Sequence, residues 1–144
     1  EAPDFSLQAS TGQSITLSSL KGSYVVLIFY PANDTPTCNS QLDDMSLNLN
    51  RFLEHNARVF GINTASAEKH REYCSRRRLE FPILSDPGGK TAKSYKSWWQ
   101  WFACNQRTVV VIDPQGKICL FERGKPEPDS ILQAITGKND HPNG

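Results

Sequence analysis

No CxxC pair occurs in this sequence of 144 residues, although it has four cysteines, at positions 38, 74, 104 and 119. That absence argues against a dithiol–disulfide oxidoreductase, and the histidines at 55, 70 and 141 do not cluster with the cysteines as metal ligands would. No metal and no cofactor is therefore expected. A disulfide-stapled secreted domain would be smaller and denser in cysteine, which leaves inert buried thiols or redox chemistry in a reducing compartment. Long hydrophobic runs are missing as well. The longest, Tyr24 to Tyr30, is strand-sized and far too short to cross a membrane. Net charge is nearly absent: 16 Lys and Arg against 15 Asp and Glu leave +1, which speaks against nucleic acid or an anionic membrane as the main partner. No targeting segment precedes Ala2-Pro3-Asp4-Phe5, so the cytoplasm is the expected location, with an organelle the alternative if residue 1 is a processed end. Without repeats or linkers, residues 1–144 read as one domain.

The elements that are present alternate between strand and helix periods. Phe5-Ser6-Leu7 and Ser14 to Leu17 flank a turn at Thr11-Gly12 and predict a hairpin. Tyr24 to Tyr30 is β-branched and aromatic on both faces, as a central strand is, and Pro31 ends it. A helical period starts at Cys38 and carries Leu42, Met45, Leu49, Phe52 and Leu53. Val59 to Ile62 is a second buried strand; Ser66 caps a helix running to about Arg78, with Glu68 in its first turn. Phe81 to Leu84 is extended, and Asp86-Pro87 opens a helix toward Tyr95. Arg107 to Ile112 is a third core strand, joined through the turn Asp113-Pro114-Gln115-Gly116 to a strand over Lys117 to Glu122. A last helix spans about Asp129 to Thr136 and ends at Gly137. The order predicts an α/β domain whose mixed sheet is covered by helices.

Cys38 stands where a buried strand has passed through a polar, proline-bounded loop into a helix. Unpaired N–H groups and the helix dipole at such a position favour the thiolate, the reactive form of a thiol whose ordinary pKa is roughly 8.5. In an α/β sheet it is also where ligands bind, beyond the carboxyl end of a strand. Thr35 lies three residues earlier, with its hydroxyl in reach of the sulfur or a bound oxygen. The competing reading is a core cysteine, since free Cys is often fully buried. The polar flanks Thr35, Thr37, Asn39 and Ser40 weigh against it. Arg107 taken alone reads as a surface charge at a strand end.

The run Pro31-x-x-x-Thr35-x-x-Cys38 resembles the active-site signature of the peroxiredoxins. Ala2 to Phe5, Leu27 to Pro31, Asp34-Thr35-Pro36, Phe81 to Asp86, and Arg107-Thr108 through Ile112-Asp113-Pro114 are similar to the peroxiredoxin Q or bacterioferritin comigratory protein branch, in the same order. The resemblance implies a thioredoxin fold with an N-terminal β-hairpin extension and reduction of hydrogen peroxide and organic hydroperoxides by a thiol. It makes Cys38 the peroxidatic nucleophile, gives Thr35 the role of positioning the peroxide, has Pro31 shield the thiolate, and sets Arg107 against thiolate and O–O bond. A fixed guanidinium there would stabilise the charge that develops on the leaving oxygen. Gln41 departs from the pattern, because relatives often carry glutamate three residues after the cysteine.

The resemblance also implies where a resolving thiol belongs. Many relatives place it five residues after the first, where this sequence has Asp43; another subset carries it on the helix that here holds Cys74. His70, Arg71, Arg77 and Arg78 fall on the same face of that helix, and cations favour a thiolate. If Cys74 resolves, the first turn of the Cys38 helix is expected to unfold locally between reduced and oxidised states. A thioredoxin or glutaredoxin-like reductant and a monomeric chain complete the expectation. Cys119 alternates with Ile118, Leu120 and Phe121 as a strand residue would. Cys104 follows the cluster Trp98-Trp99-Gln100-Trp101-Phe102, whose rings cannot all face inward from one element. A one-cysteine peroxidase served by an external thiol and a non-enzymatic redox sensor or holdase are the alternatives.

Overall fold

Strand β3 (Tyr24–Phe29) is apolar on both faces because both are covered. From Val25 to Phe29 every side chain is buried. It pairs in parallel with β4 (Ala57–Asn63), setting Phe29 against Ile62, and antiparallel with β8 (Thr108–Ile112), setting Phe29 against Thr108. The computed structural model describes residues 1–136. Around β3 it builds a seven-stranded mixed sheet in the order β2-β1-β5-β4-β3-β8-β9, with the hairpin β1 (Ser6–Ala9) and β2 (Ser14–Thr16) at one edge. Strand β5 (Ile83–Ser85) runs parallel to β4, and β9 (Ile118–Arg123) returns antiparallel to β8.

Alternate residues of β3 feed two cores. Val26 and Ile28 join α1 (Pro36–Leu47), α2 (Leu49–Glu54), α3 (Ala67–Arg77) and α5 (Pro128–Thr136) through Leu42, Met45, Phe52, Tyr73 and Ile131. Val25, Leu27 and Phe29 join Phe5, Ala92 and Tyr95 on the other face, where α4 (Lys90–Ser94) lies. The predicted α/β class and flanked mixed sheet are both present. Gly137 and His141 lie outside the described residues. Among the described residues no helix is long and apolar enough to cross a membrane.

Two predicted helices differ in detail. The one expected from Cys38 begins at Pro36, since proline suits the first helical position and the extended Thr35 caps it. It also breaks at Asn48, whose side-chain Nδ2 donates to the Asp44 carbonyl at 2.8 Å and so competes with the helical pattern. The helix expected from Pro87 is delayed, because Gly88 and Gly89 adopt φ values of 74° and 72°. Asp86 does cap it, but further along: its carboxylate accepts from Thr91 N and Ala92 N, both at 3.0 Å. Gly89 has no alternative, since a Cβ there would meet the Trp98 ring at 2.2 Å. A small hairpin, β6 (Trp98–Trp99) with β7 (Cys104–Asn105), was not foreseen. It seats Trp98 on Gly89 and leaves Trp99, Trp101 and Phe102 46%, 89% and 65% exposed.

Candidate active site at the head of the first helix

The loop leaving β3 and the start of β8 meet at one end of these central strands because β3 and β8 run antiparallel, with Phe29 opposite Thr108. Residues 31–35 carry the chain into α1, and Thr35 Oγ1 accepts from Cys38 N at 3.3 Å, closing the first turn. Cys38 is third in the helix and 0% exposed. The backbone of Arg107 is held just past the end of β9, its carbonyl accepting from Gly124 N at 2.9 Å. Its Nη1 lies 3.3 Å from Cys38 Sγ and 3.2 Å from Gln41 Oε1. Gln41 is itself buried, so it orients the guanidinium without neutralising it. A guanidinium N–H aimed at sulfur and a helix N-terminus beneath it both stabilise negative charge there.

Thr35, Cys38 and Arg107 are thus brought together as the sequence predicts, and Pro31 stands half-buried at the start of the same loop. Cys74 has other partners. It lies on α3 with Sγ 3.7 Å from Ser10 Oγ, beside an open groove that Arg71, Phe81 and Pro82 help to line. None of Cys38, Cys74 and Cys104 is joined in a disulfide. Although Arg71 lines the same groove, burial rather than the expected cations dominates the setting of Cys74. Burial pushes its thiol pKa up, against smaller opposing effects of the Ser10 hydroxyl and the Ile83 backbone. Burial also holds His70 down to about 4, so that ring is neutral; Arg77 is engaged with Asp43 at 2.5 Å.

Sequence reasoning missed a polar network behind the loop. Tyr30 donates its hydroxyl to Asn33 Oδ1 at 2.6 Å, and Asn33 Nδ2 lies 3.3 Å from His70 Nδ1. Burial raises the Tyr30 pKa well above its ordinary value, and neighbouring Tyr73, Cys74 and Cys38 add to the effect. The available signal was Tyr30 at the end of an apolar strand, with His70 and Tyr73 three apart on a helix; nothing marked Asn33. No group of three or more His, Cys, Asp or Glu that could hold a metal occurs among the described residues.

The sequence pattern of the AhpC/TSA family matches residues 1–120. Peroxiredoxin Bcp of Bacillus subtilis is 29% identical across 97% of this chain and 93% of its own length. A putative peroxiredoxin bcp of Helicobacter pylori is 31% identical, covering 93% and 94%. A chloroplastic peroxiredoxin Q of Oryza sativa is 37% identical over 91% of this chain and 61% of its own. Among solved structures, the peroxidoxin BcpB of Mycobacterium tuberculosis superposes with a TM-score of 0.84 at 28% identity, covering 96% and 94%. With a thiol at a helix head beneath an arginine, on a thioredoxin-like sheet, the chain belongs to the AhpC/TSA family as a peroxiredoxin, a thiol-dependent peroxidase.

Proposed function

We propose that Cys38 is the peroxidatic nucleophile for hydrogen peroxide and organic hydroperoxides, and that Cys74 resolves the oxidised enzyme. The observation that carries the reading is the contact between Arg107 Nη1 and Cys38 Sγ. In the first step the Cys38 thiolate attacks one peroxide oxygen and the O–O bond breaks. The Cys38 sulfur is oxidised to a sulfenic acid, and the other oxygen leaves as an alkoxide or hydroxide that takes up a proton. Arg107 spans thiolate and leaving oxygen, so its hydrogen bonds strengthen as charge moves. Thr35 orients the peroxide through its hydroxyl, and Pro31 limits water at the sulfur.

In the second step the Cys74 sulfur attacks the sulfenic sulfur, an S–S bond forms and water leaves. A thioredoxin or glutaredoxin-like dithiol then reduces the disulfide and is itself oxidised. The chain works as a monomer in the cytoplasm, with neither nucleic acid nor membrane as partner. The commitment of Cys74 Sγ to Ser10 favours one other reading, a one-cysteine peroxidase served by an external thiol. Peroxide consumption by wild type, Cys38→Ser and Cys74→Ser, with the oxidised cysteines mapped by mass spectrometry, decides between them. The expected result is no turnover in Cys38→Ser, and in Cys74→Ser one equivalent consumed without a disulfide. Full thioredoxin-linked turnover in Cys74→Ser would establish the one-cysteine route.

A further inference from the structure

The hairpin of β6 and β7 has a firmly fastened base and an aromatic tip held out in water. Ser97 N donates to the Ala92 carbonyl at 2.7 Å, and Gln106 N donates to the Ser97 carbonyl at 2.8 Å. Buried Asn105 donates its Nδ2 to the Ile62 carbonyl at 3.0 Å. Trp98 turns inward onto Gly89. The rest of the cluster turns outward: Trp99 meets Phe102 edge to face, with ring centroids 4.8 Å apart, and Trp101 is almost wholly exposed. Lys96 before the hairpin and Ala103 at the end of the tip adopt left-handed backbone, with φ values of 56° and 48°. Side chains disfavour that conformation, and it gathers where a surface is used.

Charge around the tip has one sign. From Pro87 to Ile112 the sequence contains no Asp or Glu, while Lys90, Lys93 and Lys96 lie exposed on α4 and just after it. Lys93 Nζ stands 5.1 Å from the centre of the Trp98 ring. Among the described residues none of the three lysines pairs with a carboxylate. An aromatic centre rimmed by lysines complements a protein surface that is apolar in the middle and acidic at its edge. The tip also stands at the reactive end of the sheet. The Ile62 carbonyl that receives Asn105 receives Tyr30 N as well, at 3.3 Å, and Tyr30 leads into the loop that carries Thr35 and Cys38. Arg107 follows Phe102 by five residues, a chain reach of at most about 18 Å. A protein seated on the tip, with a footprint of about 800 Å², therefore reaches the edge of the site.

A peroxide needs no such surface, and the one macromolecule that the proposed cycle requires is its dithiol donor. Resting on that recycling step, we propose that the tip is the docking surface for the donor, with Trp99, Trp101 and Phe102 as anchors and Lys93 and Lys96 at the rim. The partner it fits is a thioredoxin-like protein whose dithiol is framed by apolar and acidic side chains. Docking adds no chemical step: the donor's two thiols are oxidised to a disulfide as the Cys38–Cys74 disulfide is reduced to two thiols. The surface sets how often donor and disulfide meet. It therefore governs the KM for the donor and leaves the attack of Cys38 on peroxide alone.

The test measures steady-state turnover at saturating hydrogen peroxide with an acidic thioredoxin, its reductase and NADPH, and again with dithiothreitol, which has no surface to dock. Trp101→Ala and the double variant Lys93→Glu/Lys96→Glu are each expected to raise the thioredoxin KM about tenfold or more, the effect of losing an interface anchor. Turnover with dithiothreitol should stay within about twofold of wild type. The wild-type kcat/KM for thioredoxin should fall as salt rises, and fall less in the lysine variant. Lys117→Glu, at the opposite end of β9 from Arg107, is the control and should change neither. Trp101 lies outside the core, so its loss spares the fold, and thermal unfolding confirms this. A raised thioredoxin KM in Trp101→Ala alone suffices. An unchanged KM in that variant overturns the docking surface and leaves the peroxidase reading intact, whether or not the tip binds phosphatidylglycerol vesicles or a single-stranded oligonucleotide. An equal loss with dithiothreitol overturns it too. A wild type recycled by dithiothreitol but by neither thioredoxin nor glutaredoxin overturns the recycling reading and the proposal together.

Discussion

Arg107 Nη1 stands 3.3 Å from Cys38 Sγ and nearly the same distance, 3.2 Å, from Gln41 Oε1, so one guanidinium nitrogen serves both the proposed nucleophile and the arginine's own anchor. The two acceptors sit one helical turn apart on α1, and the arginine stands immediately before β8. Helix and strand must both be in register for the contact to exist. A neutral amide as the anchor leaves the full guanidinium charge available to the sulfur.

Gln41→Glu is therefore expected to slow the first step by about tenfold or less, since the new carboxylate takes part of the arginine's charge and repels the thiolate. Arg107→Met removes the donor altogether and should cost about 10²–10³-fold, as loss of a transition-state donor does. Stopped-flow measurement of Cys38 oxidation checks both. Equal losses in the two variants would show that charge on Arg107 is not what Gln41 controls.

The second step should respond to pH through Cys74. Burial raises that thiol above its reference value of 9.0, so on the proposed two-cysteine route the thiolate that attacks is scarce near neutrality. Below the raised pKa the disulfide rate should climb with pH, about tenfold per unit when the thiolate is the attacking form. Single-turnover rates across alkaline pH read this directly. Ser10→Ala removes a contact that opposes the shift and should make the neutral rate slower still. A plateau reached well below the reference value would contradict the assignment.

Stability should fall in acid through His70. The folded ring protonates only at about 4, against 6.5 for the unperturbed side chain. Between those values the unfolded chain binds a proton that the folded chain refuses. Stability is therefore full above the upper value and is lost as pH falls through the window. The ring is fully buried, so the loss approaches about 3 kcal/mol. Urea unfolding of wild type and His70→Gln checks this. The variant starts less stable, lacking its full link to Asn33, but its stability should change less across the window.

Much of this was legible in the sequence because backbone chemistry wrote it there. Tyr24 to Phe29 reads as a two-sided strand, and Ser66 caps α3 as expected, accepting from Lys69 N at 3.2 Å. Pro31, Thr35, Cys38 and Arg107 carry a family resemblance that named the site before geometry did. What the sequence hid depends on contacts between segments far apart in the chain. The basic look of residues 69–78 suggested an activated Cys74. In the fold Arg76 and Arg77 are taken up by Asp34 and Asp43, and His70 is neutral. Asn33 carries no local signal at all, since its role exists only once α3 lies against the loop. The delayed start of α4 follows from Gly89 yielding space to Trp98, a contact no local propensity reports.

The complete enclosure of the Cys38 sulfur has a consequence for chemoselectivity. A strongly nucleophilic thiol in open water would react with many electrophiles a cell contains, and each adduct would end its working life. With the sulfur enclosed beneath Arg107, labelling of Cys38 by bulky alkylating agents is expected to be slow beside that of an exposed thiol. The same walls that stabilise the nucleophile act as a sieve on what it meets.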